Sequence, residues 1–253
     1  AKMHEEIGGG FMEACIAAGT GVEPADQLVL LKNFIRALAL RQGRSVTFMP
    51  RWNEQADSQS IHLHVSMKDK AGSSIFYDAA QKNGVSQTFR HFLGGLQKYI
   101  GDMTLIFQPT VNSYRRFAPG TFAPPGLTWG YENRTTCFRL VGHDAASLRV
   151  ENRLPGADAN PYIAIAATLA AGFLGLRDRI EPLPLITSNA YAKERTLPRS
   201  LDAALKLMSE CTPVIELLGE GFIRAFHQIK LAELAAYDEV ISSWERDHLL
   251  LKA

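Results

Sequence analysis

Apolar positions recur at helical spacing from Ala25 to Gln42, with Leu28, Leu31, Ile35 and Leu38 on one side. Gly43 then closes the segment, as a helix C-terminal glycine does. Ser45–Met49 reads as a short strand before Pro50, and Ile61–Met67 as a strand with clean alternation. Gln87–Ile100 predicts a second helix. Pro109–Gly130 is rich in proline and glycine and predicts a long loop, a candidate flap. Arg134–Val141 and Ser147–Leu154 read as strands, and Pro161–Leu176 as a helix with proline in its first turn. Beyond Pro182 and Pro184 the pattern is helical over Ser200–Ser209, Thr212–Gln228 and Leu231–Leu250. Strands dominate the middle and helices the end, which predicts an α/β (α+β) class.

Composition narrows this little. The 253 residues are 46% hydrophobic and 21% charged, which excludes a disordered, collagen-like or coiled-coil chain. At roughly 150 residues per domain, one large or two small domains are both allowed. No linker or repeat divides the sequence, so residues 1–253 are read as one domain. Lysine plus arginine (27) nearly balances aspartate plus glutamate (26). No basic excess points to nucleic acid or an anionic membrane. The uncharged stretch Ala159–Leu176 opens on Asn160-Pro161 and is read as a buried helix rather than a membrane span. The start has no apolar run of a signal peptide and no methionine at position 1. Cys15, Cys137 and Cys211 form neither a disulfide framework nor a zinc motif, so a reducing, cytoplasmic setting is expected.

Local clusters carry the chemistry. In Ile61–Met67, alternation puts His62, His64 and Ser66 on one face. Imidazole ligates metals and contacts phosphates, although the pattern also fits an exposed polar face. In Leu148–Leu154, Arg149, Glu151 and Arg153 share a face, either as an ion-pair ladder or as an anion-binding row. Arg115, Arg116, Arg134 and Arg139 are concentrated on and beside the flap, and a solvated charge run is the plainer alternative. Glu5, Glu6 and Glu13 flank the turn Gly8-Gly9-Gly10 and could converge on one cation, or simply be surface acids. Together these groups describe a divalent-metal nucleotide site. No Walker-type or kinase motif is present.

The motif order resembles the C-terminal catalytic domain of the glutamine synthetase family over nearly the whole chain. The matching segments are Thr47-Phe48-Met49-Pro50, Ile61-His62-Leu63-His64-Val65-Ser66 and Pro109-Thr110-Val111-Asn112-Ser113-Tyr114-Arg115-Arg116. Asn133-Arg134-Thr135 with Arg139, Arg149-Val150-Glu151-Asn152-Arg153-Leu154-Pro155 and Ala157-Asp158-Ala159-Asn160-Pro161-Tyr162 complete the series. The resemblance implies a curved, mainly antiparallel sheet with helices on its outer face. It implies ATP, Mg²⁺ or Mn²⁺, and ligation of glutamate to an amine through a γ-glutamyl phosphate. Glu5 and Glu13, eight residues apart, match metal-binding glutamates, and His62 and Glu151 match ligands of a second metal. His64 and Ser66 match nucleotide contacts. Arg134, Arg139 and Arg149 match arginines on the phosphates. Arg116 and Arg153 match the pair that holds the glutamate carboxylates.

Three departures qualify the resemblance. Glutamine-forming members carry an ammonium-binding glutamate where this chain has Phe122, in Gly120-Thr121-Phe122-Ala123-Pro124. With Trp129-Gly130 following, the segment is similar to the branch that ligates glutamate to polyamines or ethanolamine. Asp57-Ser58 stand near the usual Asn-Gly pair, and the family's lysine is absent from Gly142–Ser147. Glutamine synthetase proper and a non-catalytic relative remain the alternatives. The family's N-terminal β-grasp domain and first metal-binding strand do not precede Glu5, so a catalytic-domain fragment is expected. Such a fragment would be inactive alone, with weak metal binding, and would belong to a homo-oligomer when full length.

Overall fold

The computed structural model describes residues 2–6, 8–118 and 122–252. Ile7 of the glycine turn, and Gly120 and Thr121 of the flap, lie outside the described residues. β1 (Lys2–Glu5) and β2 (Met12–Cys15) form an antiparallel hairpin that the hydrophobic pattern does not predict. α1 (Glu23–Arg41) follows the predicted helix, but its apolar side is only partly covered. Ala25 and Ala39 are buried, whereas Leu38 is 56% exposed. Lys32 docks α1 by donating from Nζ to the Ala157 carbonyl at 2.6 Å. The predicted strand at Ser45–Met49 does not form. Extended backbone needs a ladder partner to be a strand, and among the described residues no strand pairs with it.

β3 is shorter than predicted, Leu63–Val65. α2 (Gln87–Tyr99) and α3 (Thr104–Phe107) then supply much of the core. Inside the predicted loop lies a 3-10 helix, Val111–Phe117, capped by Thr110 and Ser113. β4 (Trp129–Tyr131), β5 (Phe138–Val141) and β6 (Arg149–Asn152) complete a four-stranded sheet in the order β3-β6-β5-β4. The β3–β6 and β6–β5 pairs are antiparallel, and β5–β4 is parallel. The mainly antiparallel, mixed α/β expectation therefore holds.

One face of this sheet is apolar. Leu63, Val65, Phe138, Leu140 and Val150 pack into the core with α2 and α4 (Pro161–Arg177). Asn160 caps α4 by accepting from Tyr162 N–H at 3.0 Å, a cap worth about 1 kcal/mol. α2 and α4 approach so closely that a Cβ on Gly95 would lie 2.1 Å from the Ala171 carbonyl oxygen. One on Gly175 would lie 2.2 Å from the His91 carbonyl oxygen. The stretch read as a buried helix is thus α4. No described helix is long and apolar enough to cross a membrane.

The C-terminal helices are more finely divided than the periodicity suggested. α5 is Leu201–Glu210, α6 Thr212–Leu218, α7 Glu220–Asp238 and α8 Ser243–Leu249. Gly219, at φ 93°, breaks the segment read as Thr212–Gln228. Ser242 and Glu245 form a capping box that starts α8 afresh, so Leu231–Leu250 is not one helix.

Candidate active site

The register of the sheet assembles the polar face. His64 lies opposite Glu151, and Glu151 opposite Arg139, in one row across β3, β6 and β5. The in-register faces read from the sequence therefore converge. Glu151 is the centre: its side chain is only 3% exposed. His62 Nδ1 lies 3.1 Å and Arg153 Nη1 2.9 Å from its Oε1, while Arg139 Nη1 lies 3.2 Å from Oε2. His64 Nε2 is farther from Oε1, at 3.9 Å. A carboxylate buried without partners would cost several kcal/mol, so the surrounding donors are what keep it ionised. Burial alone raises its pKa. The hydrogen bond of His62 and the charge of Arg153 overturn this and hold it well below the usual carboxylate range.

The imidazoles respond in the opposite sense. Burial pushes His62 down, against the pull of Glu151. Burial also pushes His64 down, with Arg149 adding to the effect. Both rings are therefore neutral at neutral pH. Arginine can only donate, so the 3.1 Å contact between Arg149 Nε and His64 Nδ1 makes that nitrogen the acceptor. The His64 proton then sits on Nε2, facing Glu151. Arg149 also donates to the Ser147 carbonyl at 2.8 Å. Ser66 follows β3 and is exposed.

The other arginines separate into two kinds. Arg116 is 2% exposed and donates to the backbone carbonyls of Leu154 and Arg153, the latter at 3.0 Å. Burial lowers its pKa to about 10, and it stays charged at neutral pH. It braces the segment that carries Arg153. Arg134 is exposed, and among the described residues no partner holds its guanidinium. Arg139 also pairs with Glu132, a residue at φ 46° that the sequence reading missed. Glu132 additionally accepts from Gly142 N–H at 3.3 Å, a backbone link beside the missing lysine.

The hairpin separates two residues that the resemblance groups together. His4 stands opposite Glu13 and Glu5 opposite Met12, so Glu5 and Glu13 point to opposite faces. The groups that converge are His4, Glu6 and Glu13, whose ligand atoms lie within 4.8 Å of one another. His4 Nε2 is 3.4 Å from Glu6 and 3.1 Å from Glu13. Alternation along the strand, applied to His4-Glu5-Glu6, is the signal that separates Glu6 from Glu5.

The donor set suits a divalent cation and a phosphate. Mixed imidazole and carboxylate donors occur at His62–Glu151 and again at His4–Glu6–Glu13. Arg139 Nε and Arg153 Nε are buried without a partner among the described residues, which leaves donors uncommitted for anionic oxygens.

The sheet carries a row of histidine and arginine around Glu151, and residues 1–249 match the family described as glutamine synthetase, catalytic domain. The chain belongs to that family. It is 37% identical over 221 residues to the gamma-glutamylethanolamide synthetase of Streptomyces coelicolor, covering 87% of this chain and 47% of that protein. It is 31% identical to the glutamate–isopropylamine ligase of a Pseudomonas species, covering 96% and 54%. It is 34% identical to the glutamine synthetase of Pyrococcus abyssi, covering 95% and 56%. The solved structure of GmaS without ligand superposes with a TM-score of 0.81 at 33% identity, covering 89% of this chain and 53% of that one. The GmaS/ADP complex gives the same TM-score. The chain thus spans about half the length of the curated relatives it matches.

Proposed function

We propose that this chain is the catalytic domain of an ATP-dependent ligase that joins the γ-carboxylate of glutamate to an amine through a γ-glutamyl phosphate. The observation that carries the reading is Glu151, ionised in a buried setting between neutral His62 and the guanidinium groups of Arg139 and Arg153. In this reading His62 and Glu151 hold one divalent cation, and Glu6 and Glu13, with His4, hold a second. Mg²⁺ or Mn²⁺ would there neutralise phosphate charge. Arg134, Arg139 and Arg149 bind phosphate oxygens, with His64 and Ser66 towards the nucleotide. Arg153 binds a glutamate carboxylate, and Arg116 holds Arg153 in place through its backbone. Glu5, Glu13, His62, Glu151, Arg139, Arg149 and Arg153 all stand, which speaks against a non-catalytic relative.

A primary amine is favoured over ammonium. Phe122, where ammonium-using members carry glutamate, is 56% exposed and offers an apolar ring but no carboxylate to take a proton. Similarity to an ethanolamide synthetase and an isopropylamine ligase supports this choice. Ammonium remains the second reading, supported by the glutamine synthetase from Pyrococcus abyssi. ADP release by the full-length protein with glutamate and a panel of putrescine, spermidine, ethanolamine and ammonium decides between them. Ammonium as the best acceptor would overturn the amine preference. A homo-oligomer and a reducing, cytoplasmic setting belong to the same proposal.

A further inference from the structure

After α4 the chain runs back along the sheet edge before α5 begins. Ile186 N–H donates to the Trp129 carbonyl at 2.9 Å, which lays this arm against β4. Asn133 Nδ2 donates to the carbonyls of Ile186 (3.2 Å) and Ser188 (3.0 Å), and Ala190 N–H donates to Thr135 Oγ1 at 2.9 Å. The turn that carries Arg134 is thereby stitched to the arm from both sides. The arm ends in a short 3-10 turn, Ala190–Ala192, capped by Asn189, and that turn presents Tyr191.

Tyr191 connects two parts of the site that lie far apart in sequence. Its hydroxyl lies 2.9 Å from the Phe122 carbonyl and 3.3 Å from the Arg134 carbonyl. A hydroxyl has a single hydrogen, so the shorter contact to Phe122 takes it first. Phe122 sits at φ 56°, a region that bulky residues rarely adopt, so its backbone needs holding there. The two rings meet edge to face with centroids 6.4 Å apart. Burial pushes the Tyr191 phenol up, while Arg153 and Arg116 pull it down, so both arginines of the glutamate pocket lie within its electrostatic reach.

We propose that Tyr191 is a positioning residue for the acceptor amine: its hydroxyl fixes the Phe122 backbone, and the two rings form an apolar wall for the amine's carbon chain. The inference rests on the ligase reading above and names the means by which a substituted amine is distinguished from ammonium. Ammonium has no carbon to lay against the wall. Loss of the wall therefore penalises alkylamines selectively.

Steady-state ADP release by the full-length protein, with ammonium and with n-propylamine, tests this. Tyr191→Phe keeps the ring and removes the tether. The KM for n-propylamine is expected to rise about fivefold, the effect of one ordinary hydrogen bond, with the KM values for ammonium and ATP unmoved. Tyr191→Ala removes the ring as well and is expected to lower the n-propylamine-to-ammonium ratio of kcat/KM by about tenfold. Phe122→Leu keeps the backbone tether, thins the wall and is expected to lower that ratio in the same direction. An unchanged n-propylamine KM in Tyr191→Phe, or an equal rise for ammonium and ATP as for a general structural defect, overturns the inference alone. A wild-type protein that releases no ADP with any amine overturns the ligase reading and this inference with it.

Discussion

His4 faces Glu13 across the β1–β2 ladder, Nε2 3.1 Å from the carboxylate, and Glu6 closes on the same imidazole from two residues along. Glu5 is on the other face. Calorimetric titration with Mn²⁺ separates these acids. Glu6→Gln and Glu13→Gln are each expected to weaken binding by at least about tenfold, the loss of one charged ligand. Glu5→Gln is expected to leave it unchanged. Equal losses for Glu5→Gln and Glu6→Gln would mean that the hairpin register differs from the one described.

Removing the central carboxylate leaves two guanidinium groups facing each other in a confined space. Glu151→Ala is therefore expected to destabilise the chain by about 3 kcal/mol, the range for breaking a buried ion pair. Urea denaturation measures this. The full-length variant should also lose ligase activity, and an unaffected rate would remove Glu151 from the reaction.

The histidines give that centre a pH signature. Burial lowers the folded-state pKa of His62 and His64 below the unfolded value of 6.5. Below 6.5 the unfolded chain takes up protons that the folded chain refuses. Their stabilising contribution is thus full above pH 6.5 and is lost as pH falls towards the folded pKa values. Thermal melts from pH 7.5 to 5 should show a falling Tm, and the double variant His62→Gln, His64→Gln should show a flatter slope over the same range. An equally steep slope in the variant would assign the effect to other groups.

Behind the site, Asp158 Oδ2 accepts from Thr110 Oγ1 at 2.7 Å and Ser113 Oγ at 2.6 Å. Among the described residues, neither its Oδ1 nor Gln108 Oε1, both buried, has a donor, and both crowd the same side of Gly156. Burial raises the Asp158 pKa despite these hydrogen bonds. The stability it contributes is full below the unfolded value of 3.8 and declines as pH rises through the raised folded value. Asp158→Asn keeps an acceptor for the two hydroxyls and puts a donor in place of the orphaned Oδ1, beside Gln108 Oε1. It is expected to stabilise the chain by about 1 kcal/mol at neutral pH. A lower Tm than wild type at pH 7 would contradict this account.

The regular parts of the chain were legible because burial imposes a period. Alternation in Ile61–Met67 and Leu148–Leu154 placed His64 and Glu151 each on the polar face of its own strand before any register was known. Long helices such as α2 and α4 declared themselves in the same way. What escaped was set by tertiary pairing. Ser45–Met49 has a strand's composition but no partner, whereas the β1–β2 hairpin has a partner and little apolar signal. The family resemblance selected Glu5, whereas hairpin parity groups Glu6 with His4 and Glu13. Tyr191 was invisible because its role depends on a hydroxyl meeting the backbone of Phe122, 69 residues away, and carbonyl groups leave no mark on the sequence.

Helix contact offers a last expectation. Gly95→Ala would force a methyl against the Ala171 carbonyl, an atom that cannot rotate aside. Overpacking of this kind costs about 3 kcal/mol, and a fall in urea midpoint with unchanged slope would report it.

The same contact limits where motion can occur. Asn152, beside Glu151 in β6, donates to Thr168 of α4 at 3.2 Å, and α4 is locked to α2 through facing backbones. Interfaces cushioned by side chains can creep by fractions of an ångström as rotamers adjust, but one made of main chain has no such compliance. The floor under the carboxylate therefore acts as an anvil. Drift in the helix pair would therefore register as misalignment of Glu151.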